Sequence, residues 1–584
     1  MKKKNLIIIS ALLFMVICLA SANVKYIFAG IVYNGQDVDS SIIYSKKSGF
    51  YENEFKLRLY APTDEIYYTL DGSAPDKNAK KYEGPITIAD ASENPNVYSM
   101  YADVTARNLE DEVTKNCEDE QKEPNYQLPN YNIDKCNIVK AVYYDKTGKK
   151  SDVAECVYFI GFEEKEGYEN VNIISITTDP DGLFDSKKGI YVLGDIYKEF
   201  AEGGMEEDYW AKGYWNHWDA NYHQRGIEWE RESLIHVFDA NKNLVLSQNA
   251  GIRIQGGGSR GFLPKSLNLY AREEYGTNKF YFDFFKTGYY PKRVTLTAGG
   301  DDYYTKIKDR LVSELAKDCN VVTMNYEPYV LFLNGEYWGF YYLTEKYDTQ
   351  FIEYYYGVDN GTLIDDIIMI KNGMVETGVS ADLHVSYSDM QDFIINNDMS
   401  IEENYEKACE LIDMESYIDY CAVLGYAGRS GDWPHQNYAL WRSRNISEKK
   451  YEDGKWRWII FDINSTSMAY GLIDKDFIGE LIEYSDLFKS LCDSETFKNA
   501  FARRLLEISD TIYSRENINQ KIDEYVQLME LPMEVHCQRF FGTSNQKFYD
   551  GIEEIKAFYE QRKQYVIESI KSNFGEKYIG ETVQ

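Results

Sequence analysis

Residues 327–348 read EPYVLFLNGEYWGFYYLTEKYD. Two apolar, aromatic-rich runs flank Asn334-Gly335. Both central positions of a type I′ turn need positive φ, which Asn and Gly tolerate, so the stretch is a β-hairpin. Upstream, GIRIQGGGSRGFLPKSLNLYAR (251–272) reads as strand, Gly-rich turn, strand, and NVNIISITTDPDGLF and GIYVL give further short strands. Between them and the hairpin, DYYTKIKDRLVSELAKD (302–318) has apolar residues at helical spacing, with Arg310 toward its middle. Downstream, 379–427 is largely helical, NYALWR and KWRWIIFDIN are aromatic-rich strands, and the chain beyond about 476 is mostly amphipathic helix. The class is α+β, with the helices gathered late.

Residues 40–160 have a different texture. Phe55-Lys-Leu-Arg-Leu59 and 138–143, IVKAVY, alternate with period two, and IYYTLDGSAP (66–75) is a strand entering a turn. An acidic, apolar-poor insertion lies near 107–136. The YTLDGS-x-P turn, the Y-x-G-P-I strand and the VKA strand resemble the small β-sandwich repeat at the C-terminal end of chitobiase and related β-hexosaminidases. That resemblance implies an immunoglobulin-like accessory module. Its role is either carbohydrate or cell-wall contact, or that of a spacer stiffening the N-terminal stalk.

At 584 residues the chain exceeds one compact core. Lys and Arg number 63 against 95 Asp and Glu, a net charge of −32. Phosphate backbones and anionic lipid would repel such a chain, so nucleic acid and a peripheral membrane footprint are disfavoured. A basic partner or a divalent metal suits it better. Lys2-Lys3-Lys4, an apolar run and Ala20-Ser21-Ala22 read as a signal peptide over 1–22, so the protein is expected to be secreted or at the cell surface. The runner-up is an uncleaved anchor, which would be the chain's one membrane contact. No cysteine pair has C-x-x-C spacing, so no zinc site is signalled; Cys117–Cys136 is the favoured disulfide for an exported chain, and buried free thiols are the equal alternative.

Three stretches could carry chemistry. QGGGSRGFLPKS (255–266) offers backbone N–H groups for phosphate with Lys265 behind them, but Phe262 stands where a Walker loop requires lysine. A tight hairpin with a structural lysine reads equally well. In SGDWPHQN (430–437), Asp432 and Asn437 have the spacing of a proton-accepting aspartate and a metal-binding asparagine, but so does a solvated turn. WRWIIFDINSTS (456–467) ends a buried strand on Asp462, where a metal would offset the desolvation of the carboxylate. Asp-x4-Asn followed by strand-Asp is the order of a kinase catalytic loop and its metal aspartate.

Together with LFLNGEYWGFYYLTEKYD and MIKNG, these motifs make 175–575 similar to the CotH family of atypical, secreted protein kinases. The resemblance implies a reduced kinase-like domain over 170–577, using ATP and Mg²⁺ (or Mn²⁺) to phosphorylate serine in a partner protein. Carried over by motif, Asp432 is the catalytic base, and Asn437 and Asp462 are metal ligands. Lys265 is the phosphate-pairing lysine, with Glu345 its partner by order and chemistry. Arg253, Arg260 and Lys371 are lesser candidates for nucleotide contact, Arg253 being equally readable as structural. His435 is read as a neighbour of the base. The charge suggests a Ser-rich, basic acceptor segment. Two alternatives stand beside it: a surface-binding protein that keeps the fold as scaffold, and an enzyme transferring AMP or another group.

Overall fold

The computed structural model describes residues 42–63, 65–108, 126–203, 215–361, 366–375, 381–429, 433–464 and 473–580. The first nine strands, β1 (Ile43–Tyr44), β2 (Gly49–Tyr51), β3 (Phe55–Leu57), β4 (Leu59–Tyr60), β5 (Ile66–Thr69), β6 (Lys80–Lys81), β7 (Ile86–Ile88), β8 (Asn137–Tyr143) and β9 (Ala154–Ile160), form an N-terminal module. Five of them make a sheet ordered β2-β9-β8-β5-β6, and β1 pairs with β4 and β3 with β7. Leu57, Leu59 and Ile88 share a small core with Val139, Ala141 and Tyr158 from the larger sheet. Alternate residues of the same strands, Ile138, Val157 and Phe159, point the other way into the main core. Successive strand residues face opposite sides, so β8 and β9, at the centre of this sheet, are buried on both faces.

What lies beyond it is a closed barrel of seven strands: β10 (Asn172–Thr178), β11 (Arg231–Phe238), β12 (Leu244–Ile254), β13 (Leu267–Tyr270), β14 (Arg293–Thr297), β15 (Tyr326–Leu333) and β16 (Glu336–Glu345). The order is β10-β11-β12-β13-β14-β16-β15, closed by parallel pairing of β10 with β15. The expected hairpin is β15–β16, with Asn334 at φ 47° and Gly335 at φ 87°. Its tip is a docking peg for the module. The Glu336 carboxylate accepts from the N–H groups of Val97 (2.6 Å) and Ser99 (2.7 Å), and the Gly335 carbonyl from Cys136 (2.8 Å). A Cβ at Gly339, φ 111°, would sit 2.9 Å from both His536 and Phe540, so glycine lets the long helix carrying them close on β16.

The helices are α1 (Pro180–Phe184), α2 (Gly194–Gly203), α3 (Lys308–Leu315), α4 (Thr349–Tyr356), α5 (Ala381–Asn396), α6 (Glu402–Leu411), α7 (Met414–Tyr426), α8 (Phe477–Tyr484), α9 (Asp486–Leu491), α10 (Glu495–Asp510), α11 (Arg515–Phe541) and α12 (Gln546–Asn573). A second sheet, ordered β18-β17-β19-β20, is built from β17 (Ile367–Lys371), β18 (Met374–Val375), β19 (Ala439–Ser443) and β20 (Arg457–Ile459). Arg562 of α12 is fully buried and donates to the carbonyls of Gly425 (2.8 Å) and Tyr426 (3.2 Å), capping the C-terminus of α7.

Three expectations change. GIYVL is not a strand, because its N–H groups bond to the α1 turn, Ile190 to Gly182 (3.0 Å) and Tyr191 to Leu183 (2.9 Å). The 302–318 helix begins at Lys308, since Gly299, Gly300 and Lys306 all take positive φ and the Asp302 carboxylate accepts from the Lys308 N–H at 2.9 Å. Cys136 is a free, buried thiol beneath the hairpin tip, raised by burial and close to Ser175, where a disulfide half was expected. Cys117 and the signal segment 1–22 lie outside the described residues. Among the described residues, no helix is long and apolar enough to cross a membrane.

Candidate active site

The register of the second sheet places Lys371 opposite Ala439 and Ala439 opposite Ile459. Lys371, the Asn437 loop and the Phe461-Asp462 segment therefore meet at one end of it. The Lys371 ammonium lies 5.0 Å from the centre of the Phe461 ring, which packs on Tyr347 at 5.1 Å. Asn437 (φ 55°) and Asp462 (φ 58°) both occupy the left-handed region, where a non-glycine residue is uncommon and functional sites are over-represented. Trp433 is buried and donates its indole N–H to Tyr420 at 3.1 Å, which anchors the start of the Asn437 loop. Asp432 is adjacent in the chain but lies outside the described residues.

The Asp462 backbone is clamped from two sides. Arg429, at the exit of α7, donates to its carbonyl, and Asp309, in the first turn of α3, accepts the N–H of Ile463. Asn464 reaches back to the Gly299 carbonyl at 3.2 Å, and a Cβ on Gly300 would come within 2.4 Å of the Asn464 amide. Glycine is required there for close approach. Burial first, then the nearby Asp462 carboxylate, push Asp309 up to about 7. Two carboxylates held close against mutual repulsion suit a divalent cation, which would relieve the repulsion. Among the described residues no three His, Cys, Asp or Glu side chains converge as a metal cluster. Asp462, Asp309 and Asn437 are the donors this end of the sheet offers.

Asp309 was not among the residues expected from sequence. Its segment carried a helical apolar pattern, and the only signal was an aspartate in the first turn of that helix. Lys306 was missed too. It is buried at φ 57°, donates to the Ala298 carbonyl, and is pulled down by burial to about 8, with Asp302 opposing.

At the Gly-rich turn, the Phe262 ring lies 6.2 Å from Tyr303 in the loop before α3. The cations of this turn face inward. Lys265 is fully buried, donates to the Arg260 carbonyl at 2.5 Å and lies 3.7 Å from the centre of the Tyr222 ring. Burial first, then Arg260, drive its pKa well down. Arg260 donates to the carbonyls of Gly256 (2.8 Å), Tyr222 (2.9 Å) and Gln224 (3.0 Å). Arg253 pairs with Glu230 at 2.9 Å and stacks 4.2 Å from Tyr270.

Lys265 and Glu345 do not meet. Glu345 accepts from the Asn325 backbone and side-chain N–H groups, both at 2.9 Å, and from the Tyr355 hydroxyl. Glu345 pairs with Val294, whereas Lys265 lies beyond the Leu267–Leu296 pair, at the opposite end of the same strands. His435 is exposed, its ring 5.4 Å from Tyr484.

The family model described as CotH kinase protein matches residues 252–566, from within β12 to α12. The model described as Fn3 associated matches 55–158, from β3 to β9. No curated protein matches the chain. The first match spans more than half of the chain and takes in the Gly-rich turn, Asp309, Asn437 and Asp462, and on that ground the chain belongs to the CotH kinase protein family.

Proposed function

We propose that the protein is an exported, ATP- and Mg²⁺-dependent kinase that transfers the γ-phosphoryl group to a serine or threonine hydroxyl of a partner protein. The observation carrying this is the meeting of Asn437, Asp462 and Asp309 at one end of the second sheet, with Asp432 five residues before Asn437 in the sequence. The barrel strands β12-β13-β14-β16-β15 add support. Their order, with a Gly-rich turn joining the first two and a helix following the third, is the arrangement a kinase-like upper lobe calls for.

In this reaction Asp432 takes the hydroxyl proton as the acceptor oxygen bonds to the γ-phosphorus. The bond from that phosphorus to the β–γ bridging oxygen breaks, and ADP leaves with the electron pair. Arg429 and Asp309 hold the Asp462 backbone. Asp462 and Asn437 would hold a Mg²⁺ ion, which supplies charge neutralisation at the phosphates. The chain's charge of −32 favours a Ser-rich, basic acceptor. Wall carbohydrate remains the ligand proposed for the module.

Incubation of residues 23–584 with γ-labelled ATP and Mg²⁺ or Mn²⁺ tests the reading. Label should appear on the protein or on a basic Ser-rich peptide and be lost in Asp432→Ala and Asp462→Ala. One observation favours a second reading, the transfer of AMP or use of the fold as a scaffold: Lys265 makes no ion pair with Glu345. With α-labelled ATP, covalent label would establish AMP transfer. Absence of both labels, with no nucleotide binding, would leave a scaffold.

A further inference from the structure

Behind the second sheet, a cavity of about 320 Å³ opens between α4, the β19–β20 hairpin and the segment joining α3 to β15. Asp309, Asn437, Asp462 and the Gly-rich turn are not among its lining residues. Trp441 faces it, while the preceding residue, Leu440, faces a separate cavity on the opposite side of the sheet. Tyr355, Tyr356, Trp441 and Tyr451 contribute aromatic rings to its wall. The Tyr356 and Trp441 rings pack on each other at 5.1 Å and 59° and present one continuous aromatic surface.

The polar groups are lopsided. Trp441 is fully buried, yet its indole N–H, its one polar atom, has no partner among the described residues. A buried donor left unbonded costs free energy unless a ligand or water meets it. Lys317 is exposed at the cavity wall and makes no ion pair among the described residues. The carboxylates nearby are already engaged. Asp413 and Asp453 bind Arg457 at 3.0 and 2.6 Å, and Glu345 is held by Asn325 and Tyr355. The cavity therefore offers aromatic rings together with two donors, the Trp441 indole N–H and the Lys317 ammonium.

We infer that this cavity is a second small-molecule site, separate from the phosphoryl-transfer centre, that takes a flat aromatic ring bearing a carboxylate. The ring lies among the tyrosines and tryptophans, and the anion or another acceptor meets the Trp441 N–H and Lys317. One bicyclic ring with a small substituent suits a volume at the lower end of the ligand-pocket range.

Isothermal titration of the full chain with naphthalene-2-carboxylate tests this without nucleotide. Saturable heat is expected. Trp441→Phe keeps a ring and removes the N–H, and should weaken binding about tenfold. Lys317→Gln, on the surface and safe for folding, should weaken it about threefold and flatten its salt dependence. Asp462→Asn should bind as the wild type does. Absence of saturable heat up to about 10 mM would overturn the site. So would equal affinity for the wild type, Trp441→Phe and Lys317→Gln. Equal affinity for the neutral naphthalene-2-carboxamide would overturn the carboxylate preference.

Discussion

Replacing Asp309 by asparagine isolates the charge at the centre of the candidate site. The amide oxygen can still accept the Ile463 N–H, so the clamp on Asp462 is kept and only the charge is lost. Asp309 stands at about 7 in the fold against an ordinary 3.8. The folded state thus binds this proton more tightly than the unfolded chain. Stability from this group is complete below about pH 4 and is lost as pH rises through 7. That difference corresponds to about 4 kcal/mol as an upper bound, less where water screens the pair. In chelator, Asp309→Asn should therefore match the wild type near pH 4 and be the more stable protein at pH 8, by a few degrees in thermal melts. Added Mg²⁺ should stabilise the wild type more than the variant, reversing part of the gap. A variant equally destabilised at both pH values would show that the carboxylate acts only as a hydrogen-bond acceptor and would sink the charge argument.

Other outcomes follow from single contacts. Gly339→Ala should cost more than about 2 kcal/mol in denaturant melts, because φ 111° is strained for alanine and the new Cβ meets His536 and Phe540. Arg562→Ala strips the cap from α7 and leaves the buried Tyr426 carbonyl without its donor, so about 3 kcal/mol should be lost, with activity falling because Arg429 follows that helix. Glu336→Gln should cost about 1–2 kcal/mol and speed proteolysis near 97–101, since two backbone N–H groups lose a charged acceptor. Cys136 should alkylate without reductant, but only after denaturation, as mass spectrometry would read directly.

Local signals account for much of what the sequence makes legible. Asn334-Gly335 names its turn type by φ alone, and the late helices declare themselves by period. Lys371, Asn437 and Asp462 meet because strands flank each of them and the sheet aligns the ends. Asp309 was illegible for a matching reason. Its partner, Ile463, is 154 positions away, and no local pattern in a short helix marks which polar residue faces across. Glu345 was paired with Lys265 on chain order, which says nothing about which end of a strand a side chain occupies. GIYVL looked like a strand because it is apolar and β-branched, yet its hydrogen bonds go to a preceding helical turn. Cys136 was paired by compartment, whereas tertiary packing had closed over it.

The N-terminal sheet has one more consequence. Modules of this type are portable when one face of each sheet meets water, because either neighbour can then be exchanged without exposing oil to solvent. Here Ile138, Val157 and Phe159 belong to the barrel's core as much as to their own sheet. Cutting the chain near 170 would leave an apolar face on the barrel and an unfilled seat around the Gly335 tip. Recombination could add to the ends of this protein, but it could no longer shuffle the two parts independently, so changes on one side of that shared face must be answered on the other.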